Sequence, residues 1–218
     1  MLKPGRTYWF IITLVISLMG VSMDRALADS LYIENWDFEA VTGLEDGKGS
    51  FMNIPGWNIT GQAGTWNPRP TSYNPTDQDY SGGNIAWINS GYISQVLPYD
   101  LTDGHLYTLN ADVGYRLTTD CPLCGFRDYT IELLAGGVSL ASTLGTGTEG
   151  EWDSVSLTYL ASASGGPLEI RLYTSGIQTN FDNVGLSNTA VPEPATFMLL
   201  GSGLLGLAGF GRKKIQVL

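Results

Sequence analysis

From Tyr107 to Tyr115 the side chains alternate without a break: Tyr107, Leu109, Ala111, Val113 and Tyr115 are apolar or aromatic, and Thr108, Asn110, Asp112 and Gly114 stand between them. A two-residue period places one set on each face of an extended strand, so this stretch has one face for a core and one for water. The same period recurs at Tyr129, Ile131 and Leu133, at Val155, Leu157 and Tyr159, and at Leu168, Ile170 and Leu172. Shorter candidates are Ile54–Ile59, Asn84–Asn89, Tyr92–Leu97 and Val138–Leu144. Ala135-Gly136-Gly137 supplies the positive φ of a tight hairpin between two of these strands. Helical periodicity is absent from the middle of the chain. About eight to ten strands, each with one inward face, predict an all-β fold of two antiparallel sheets packed face to face, a jelly-roll β-sandwich.

The two ends differ from this middle. Lys3 and Arg6 precede an apolar run from Tyr8 to Val21, and Ala26-Leu27-Ala28 follows before Asp29. This order is that of a secretory signal peptide over residues 1–28, cut by signal peptidase after Ala28; an uncleaved anchor is the other reading. At the far end Pro192, Glu193 and Pro194 lead into residues 195–211, which carry no charge, and then into Arg212, Lys213 and Lys214. A helix over 195–211 would reach roughly 25 Å, slightly short of a ~30 Å hydrocarbon core, and the basic stems can bridge the difference. Basic residues at both ends place both on the cytoplasmic side and put the intervening domain, residues 29–189, outside. A buried core helix is the alternative, but it has little use for a basic clamp.

The tail, residues 190–218, resembles the PEP-CTERM sorting signal: a Pro-Glu-Pro triplet, a short apolar helix and a basic cluster, in that order. The one departure is Ile215–Leu218 after the basic cluster. The resemblance implies processing by an exosortase, an inner-membrane-anchored precursor, and a destination at the cell surface or in the extracellular matrix of a Gram-negative bacterium that makes exopolysaccharide.

Charge narrows the partners. Between Asp29 and Ala190 only Lys48, Arg69, Arg116, Arg127 and Arg171 stand against nineteen Asp and Glu residues. Nucleic acid and anionic lipid surfaces are excluded as general partners, because the electrostatic attraction that drives such binding has the wrong sign. A solvated acidic surface, a cation site or a neutral polymer fits better. Cys121 and Cys124 are the only cysteines. In an exported chain they read first as a local disulfide. Zinc would need two more soft ligands, and a thioredoxin-like role needs a strand-to-helix context that is absent.

Asn35-Trp36-Asp37-Phe38-Glu39 with Ile54-Pro55-Gly56-Trp57, and Asn180-Phe181-Asp182-Asn183-Val184-Gly185-Leu186, bracket the exported domain. They resemble the opening and closing strands of carbohydrate-binding-module and galactose-binding-like jelly rolls. In the closing stretch Asp182 shares a side with Val184 and Leu186, the core side. The resemblance implies that it joins Glu39, with Asp37 behind it, at a structural calcium site. The other reading has Asp182 accepting backbone hydrogen bonds at a turn while Glu39 is solvated.

The least regular region, Gln62–Gly83, is long for a loop and keeps its aromatic residues. Flat rings beside Asn, Asp and Arg are the means of sugar recognition, so Trp57, Trp66, Tyr73, Tyr80 and Trp87 form the expected ligand-binding set, the alternative being that they cover the sandwich edge. Catalytic patterns are lacking. His105, the only histidine, follows Asp103-Gly104 at a strand start, and no nucleophile elbow or zinc-helix motif occurs. Carboxylate pairs such as Glu149 with Glu151 or Asp37 with Glu39 could serve glycoside hydrolysis only if the fold spaced them correctly. The expectation is a non-catalytic exported protein contacting polysaccharide. A structural matrix protein with protein partners alone is the second reading, and a glycan-processing enzyme the third.

Overall fold

A computed structural model describes residues 27–74, 83–124, 128–191, 201–204 and 206. The signal peptide up to residue 26, Tyr80, the Pro192-Glu193-Pro194 triplet and Arg212, Lys213 and Lys214 lie outside the described residues. Among the described residues no helix is long and apolar enough to cross a membrane.

Among the described residues eight strands are arranged antiparallel: β1 Asp29–Leu31, β2 Asn58–Trp66, β3 Ile85–Asp100, β4 His105–Gly114, β5 Asp128–Ala135, β6 Val138–Thr146, β7 Trp152–Leu160 and β8 Pro167–Ala190. The 24-residue β8 organises them. Its first part pairs with β3 on one side, from Asp100↔Pro167 to Ala86↔Phe181, and with β5 on the other, from Ala135↔Leu168 to Thr130↔Tyr173. Its last part pairs with β4, from Gly114↔Asn180 to His105↔Ala190, and with β1. β2 and β6 extend the first group beyond β3 and β5, and β7 extends the second beyond β4.

Alternation explains why the two groups close on each other. Leu168, Ile170 and Leu172 of β8, Ile131 and Leu133 of β5 and Ile88, Ile93 and Leu97 of β3 share one buried cluster with Leu109 and Val113 of β4, Leu157 of β7 and Val184 and Leu186 of β8. Each such side chain contributes roughly 1.5–3 kcal/mol by leaving water. The β5–β6 hairpin turns at Gly136 (φ 56°) and Gly137 (φ 78°), with Ala135 opposite Val138.

Four expectations are revised. Ile54–Trp57 is a turn, closed by the Trp57 N–H on the Ile54 carbonyl, and the strand begins at Asn58. The two expected strands Asn84–Asn89 and Tyr92–Leu97 merge, from Ile85 onward, into a single strand, β3, which bends at Ser90 (φ 54°) and Gly91 (φ 112°). Gly91 faces Gly61 (φ 95°) across the ladder, and a Cβ on either would strike the other strand's backbone. Gln62–Trp66 lies in β2, which shortens the irregular region. The opening Asn35–Glu39 stretch is a turn, with Asn35 and Phe38 in the left-handed region (φ 51° and 55°). Its purpose is to drive Phe38 fully into the core against Trp57, ring centroids 5.5 Å apart. Asn35 fastens that turn: Nδ2 donates to the Pro55 carbonyl, Oδ1 accepts from the Ala40 N–H, and its carbonyl accepts from Trp57 Nε1.

Candidate functional site

At the end of β2 an open groove of about 380 Å³ is lined by Phe51, Trp66, Arg69, Trp87, Asn89, Arg116 and Gln178, with backbone from Gly47, Gly49 and Ser50. The strands fix its rings. Trp66 closes β2 and bridges to Gly49, while Trp87 of β3 stands opposite Gly64 and donates Nε1–H to the Ser50 carbonyl, 3.3 Å. Phe51, 63% exposed, lies over Trp87 with centroids 5.9 Å apart.

Arg116, two residues past β4, places its guanidinium 4.2 Å from the Trp66 ring centroid. A cation over an indole face is held there electrostatically. Its Nε and Nη2 donate to Asp120 Oδ2 at 3.0 and 2.6 Å, and Nη1 donates to Gln178 Oε1 at 2.7 Å. Asp120 also accepts from Ser72 Oγ (2.8 Å) and from Arg69 Nη1 (3.1 Å). Burial by itself would push the Asp120 carboxyl up, but the hydrogen bonds from Arg116 and Ser72 and the charges of Arg116 and Arg69 outweigh it and hold the group below the usual carboxylate range. Asp120 is thus a fixed anion aligning two cations. The Cys121–Cys124 disulfide closes the same turn, whose backbone is secured by the N–H groups of Asp120 and Cys121 on the Leu117 carbonyl. Stacking rings, an exposed guanidinium and two carboxamides equip the groove to hold a polar ligand with a flat apolar face.

The fold separates the expected ligand-binding residues. Trp66 and Trp87 both border the groove, but Trp66 is only 6% exposed, packed with Tyr73, Ile85 and Trp152 beneath the Arg116 guanidinium, so Trp87 is the more accessible of the two. Trp57 is in the core with Phe38. Tyr73 is buried against Trp152, centroids 5.2 Å apart, its Oη accepting from Asn180 Nδ2. Phe51, Asn89, Arg116 and Gln178 had no local sequence signal. Arg116 and Gln178 meet across a separation of 62 residues.

Glu39 and Asp182 lie elsewhere. Asp182, 5% exposed, accepts the Asn183 N–H at 2.8 Å, and Asn183 (φ 50°) passes its Nδ2 to Asp112 Oδ2. Burial, joined by the charges of Asp112, Glu39 and Asp37, pushes the Asp182 carboxyl up to about 8 against the smaller pull of the Asn183 N–H. Glu39 is exposed, and its Oε1 accepts the Asn84 N–H at 2.7 Å. These oxygens are of the hard type calcium takes. Even so, among the described residues no three His, Cys, Asp or Glu side chains are grouped so as to hold a metal ion. His105, with Nδ1 3.2 Å from the Asp103 carbonyl, sits at the start of β4 away from the groove lining.

Residues 190–213 match the PEP-CTERM protein-sorting motif, which marks an exported protein with a membrane-anchored precursor and implies exosortase processing. Among curated proteins none matches the chain. Among solved structures, an apo cyclase from Fischerella sp. is 25% identical with a TM-score of 0.66, over 76% of this chain and 98% of its own. A cyclase from Fischerella sp. TAU is 26% identical with a TM-score of 0.65, over 77% and 100%. The carbohydrate-binding module TmCBM61, in complex with β-1,4-galactotriose, is 16% identical with a TM-score of 0.46, over 72% and 98%. The whole sandwich, residues 29–187, matches a single family, and the chain belongs to it: the HpiC1-like family, described as HpiC1 cyclase.

Proposed function

We propose that this exported protein is a binding protein, delivered to the cell surface or extracellular matrix of a Gram-negative bacterium, whose jelly-roll sandwich contacts exopolysaccharide through the groove at Trp66 and Trp87. One observation carries the reading: two accessible aromatic rings, Phe51 and Trp87, and four hydrogen-bonding side chains, Arg69, Asn89, Arg116 and Gln178, converge on one open groove floored by the buried Trp66, with no carboxylate or histidine among its lining residues. Rings of this kind stack on the C–H faces of sugars, and the polar groups take hydroxyls. Affinity electrophoresis in host exopolysaccharide tests it. Retardation of the wild type, lost in Phe51→Ala and Trp87→Ala at unchanged melting temperature, is the expected result. Equal retardation of all three would remove the groove from the proposal, and no retardation at all would favour a matrix protein with protein partners alone.

A second reading, a cyclase, is favoured by the family and by Asp182, whose carboxyl is held protonated at neutral pH and so suits proton donation. Against it, Asp182 is buried and does not line the groove. Cyclisation is an isomerisation, so this reading requires a product of unchanged mass and shifted retention from host metabolite extract, absent with Asp182→Asn.

A calcium ion near Glu39 and Asp182 is also part of the proposal, supported only by the buried carboxylate there, which no cationic side chain among the described residues offsets. It would neutralise Asp182 in place of the proton.

A further inference from the structure

We infer that the groove selects a carboxylate-bearing sugar residue, a uronate or one of like charge, with Arg69 as the group that reads the carboxylate; this rests on the polysaccharide reading above. The protein has a net charge of −10, yet the groove lining holds Arg69 and Arg116 and no carboxylate side chain. Asp120, behind them, balances one of the two cations, so the groove keeps a local positive charge in an acidic molecule.

The two arginines are not equivalent. Arg116 is only 14% exposed at its side chain and is committed to Asp120, Gln178 and the Trp66 face. Arg69 is 56% exposed at its side chain, and among the described residues only its Nη1 is engaged, by Asp120. Its remaining donors are free to take a carboxylate in the two-pronged geometry that a guanidinium favours. A neutral sugar would use the rings and leave the guanidinium unanswered. An acidic one uses both.

The surrounding negative charge has a consequence for the test. Salt screens the long-range repulsion of an acidic polymer as well as the local attraction, so ionic strength alone does not separate the two. The discriminating comparison is chemical: oligogalacturonides against the same chains with their carboxyls reduced to hydroxymethyl groups, titrated calorimetrically into the protein as purified from the host. The expected result is at least tenfold tighter binding of the acidic form, with that preference abolished in Arg69→Gln and kept in Arg171→Gln. Arg171 is an arginine outside the groove lining, paired with Glu132 and Glu169. Equal binding of both forms overturns the inference and leaves the polysaccharide reading intact. A preference that survives Arg69→Gln overturns the assignment of the residue. Binding of neither form counts against both, and a melting temperature for Arg69→Gln equal to wild type excludes misfolding as the cause.

Discussion

Replacing Asp182 by Asn should change the direction in which pH moves stability. In the unfolded chain this carboxyl gives up its proton near 3.8; in the folded protein it holds the proton to about 8. Between those values unfolding releases a proton, so the stabilisation present below the lower value is lost progressively as pH rises through the upper one. One proton released on unfolding changes stability by about 1.36 kcal/mol for each pH unit, so the interval from pH 5 to pH 8 removes roughly 4 kcal/mol, a large share of the 5–15 kcal/mol typical of a domain. Asn keeps the shape and can still accept the Asn183 N–H, but does not ionise. Urea unfolding followed by tryptophan fluorescence, in EDTA, at pH 5 and pH 8 gives the comparison directly. The wild type should lose roughly 4 kcal/mol more than Asp182→Asn over that interval, and the variant should be the more stable protein at pH 8. Parallel behaviour within about 1 kcal/mol would refute the reasoning, since it would mean that water or a cation already neutralises the site.

Other outcomes follow from the same contacts. If calcium binds beside Glu39 and Asp182, adding it at pH 8 should raise the melting temperature of the wild type but not of Asp182→Ala or Glu39→Ala; identical EDTA and calcium curves for all three would end that proposal. Trp57→Ala, in the core against Phe38, should cost about 3–5 kcal/mol in urea unfolding, whereas Phe51→Ala at the exposed groove rim should stay within about 0.5 kcal/mol of wild type. Reducing Cys121–Cys124, a bridge across three positions, should cost roughly 2 kcal/mol. It should also weaken groove binding by loosening Asp120, and unchanged affinity after confirmed reduction would show that the hydrogen bonds alone hold that turn.

Much of the sandwich was legible because alternation is a local signal. Tyr107–Tyr115 announced β4, and Ala135-Gly136-Gly137 announced the hairpin. The inward direction of Asp182 followed from its parity with Val184 and Leu186. The continuity of β8 was not legible: Ser175-Gly176-Ile177-Gln178-Thr179 breaks the apolar rhythm, so Leu168–Leu172 and the Asn180–Leu186 stretch read as two strands. Gly176 and Thr179 are nonetheless buried there, and Thr174 and Thr179 hydrogen-bond each other. The groove was half legible. An indole that borders a groove and one that packs in the core look alike in sequence: Trp87 is half-buried at the groove, whereas Trp57 and Trp66 are both buried. The Arg116–Gln178 and Arg69–Asp120 contacts depend on long-range folding alone.

The length of β8 has a mechanical meaning. Gln178 in the groove and Ala190 at the mouth of the sorting tail lie on one unbroken strand. If a polymer is held in the groove as proposed while the tail is held at a membrane, the pull between them enters the fold at two points of this one strand. A pull on the tail would load the β4 ladder beside it, from Asn180 to Ala190, in shear, its hydrogen bonds resisting together instead of opening one after another. Asp29 stands opposite Asn188 on the neighbouring strand, so the two ends of the sandwich lie side by side. The sorting tail that begins at residue 190 is thus continuous with the strand that pairs with β1, β3, β4 and β5.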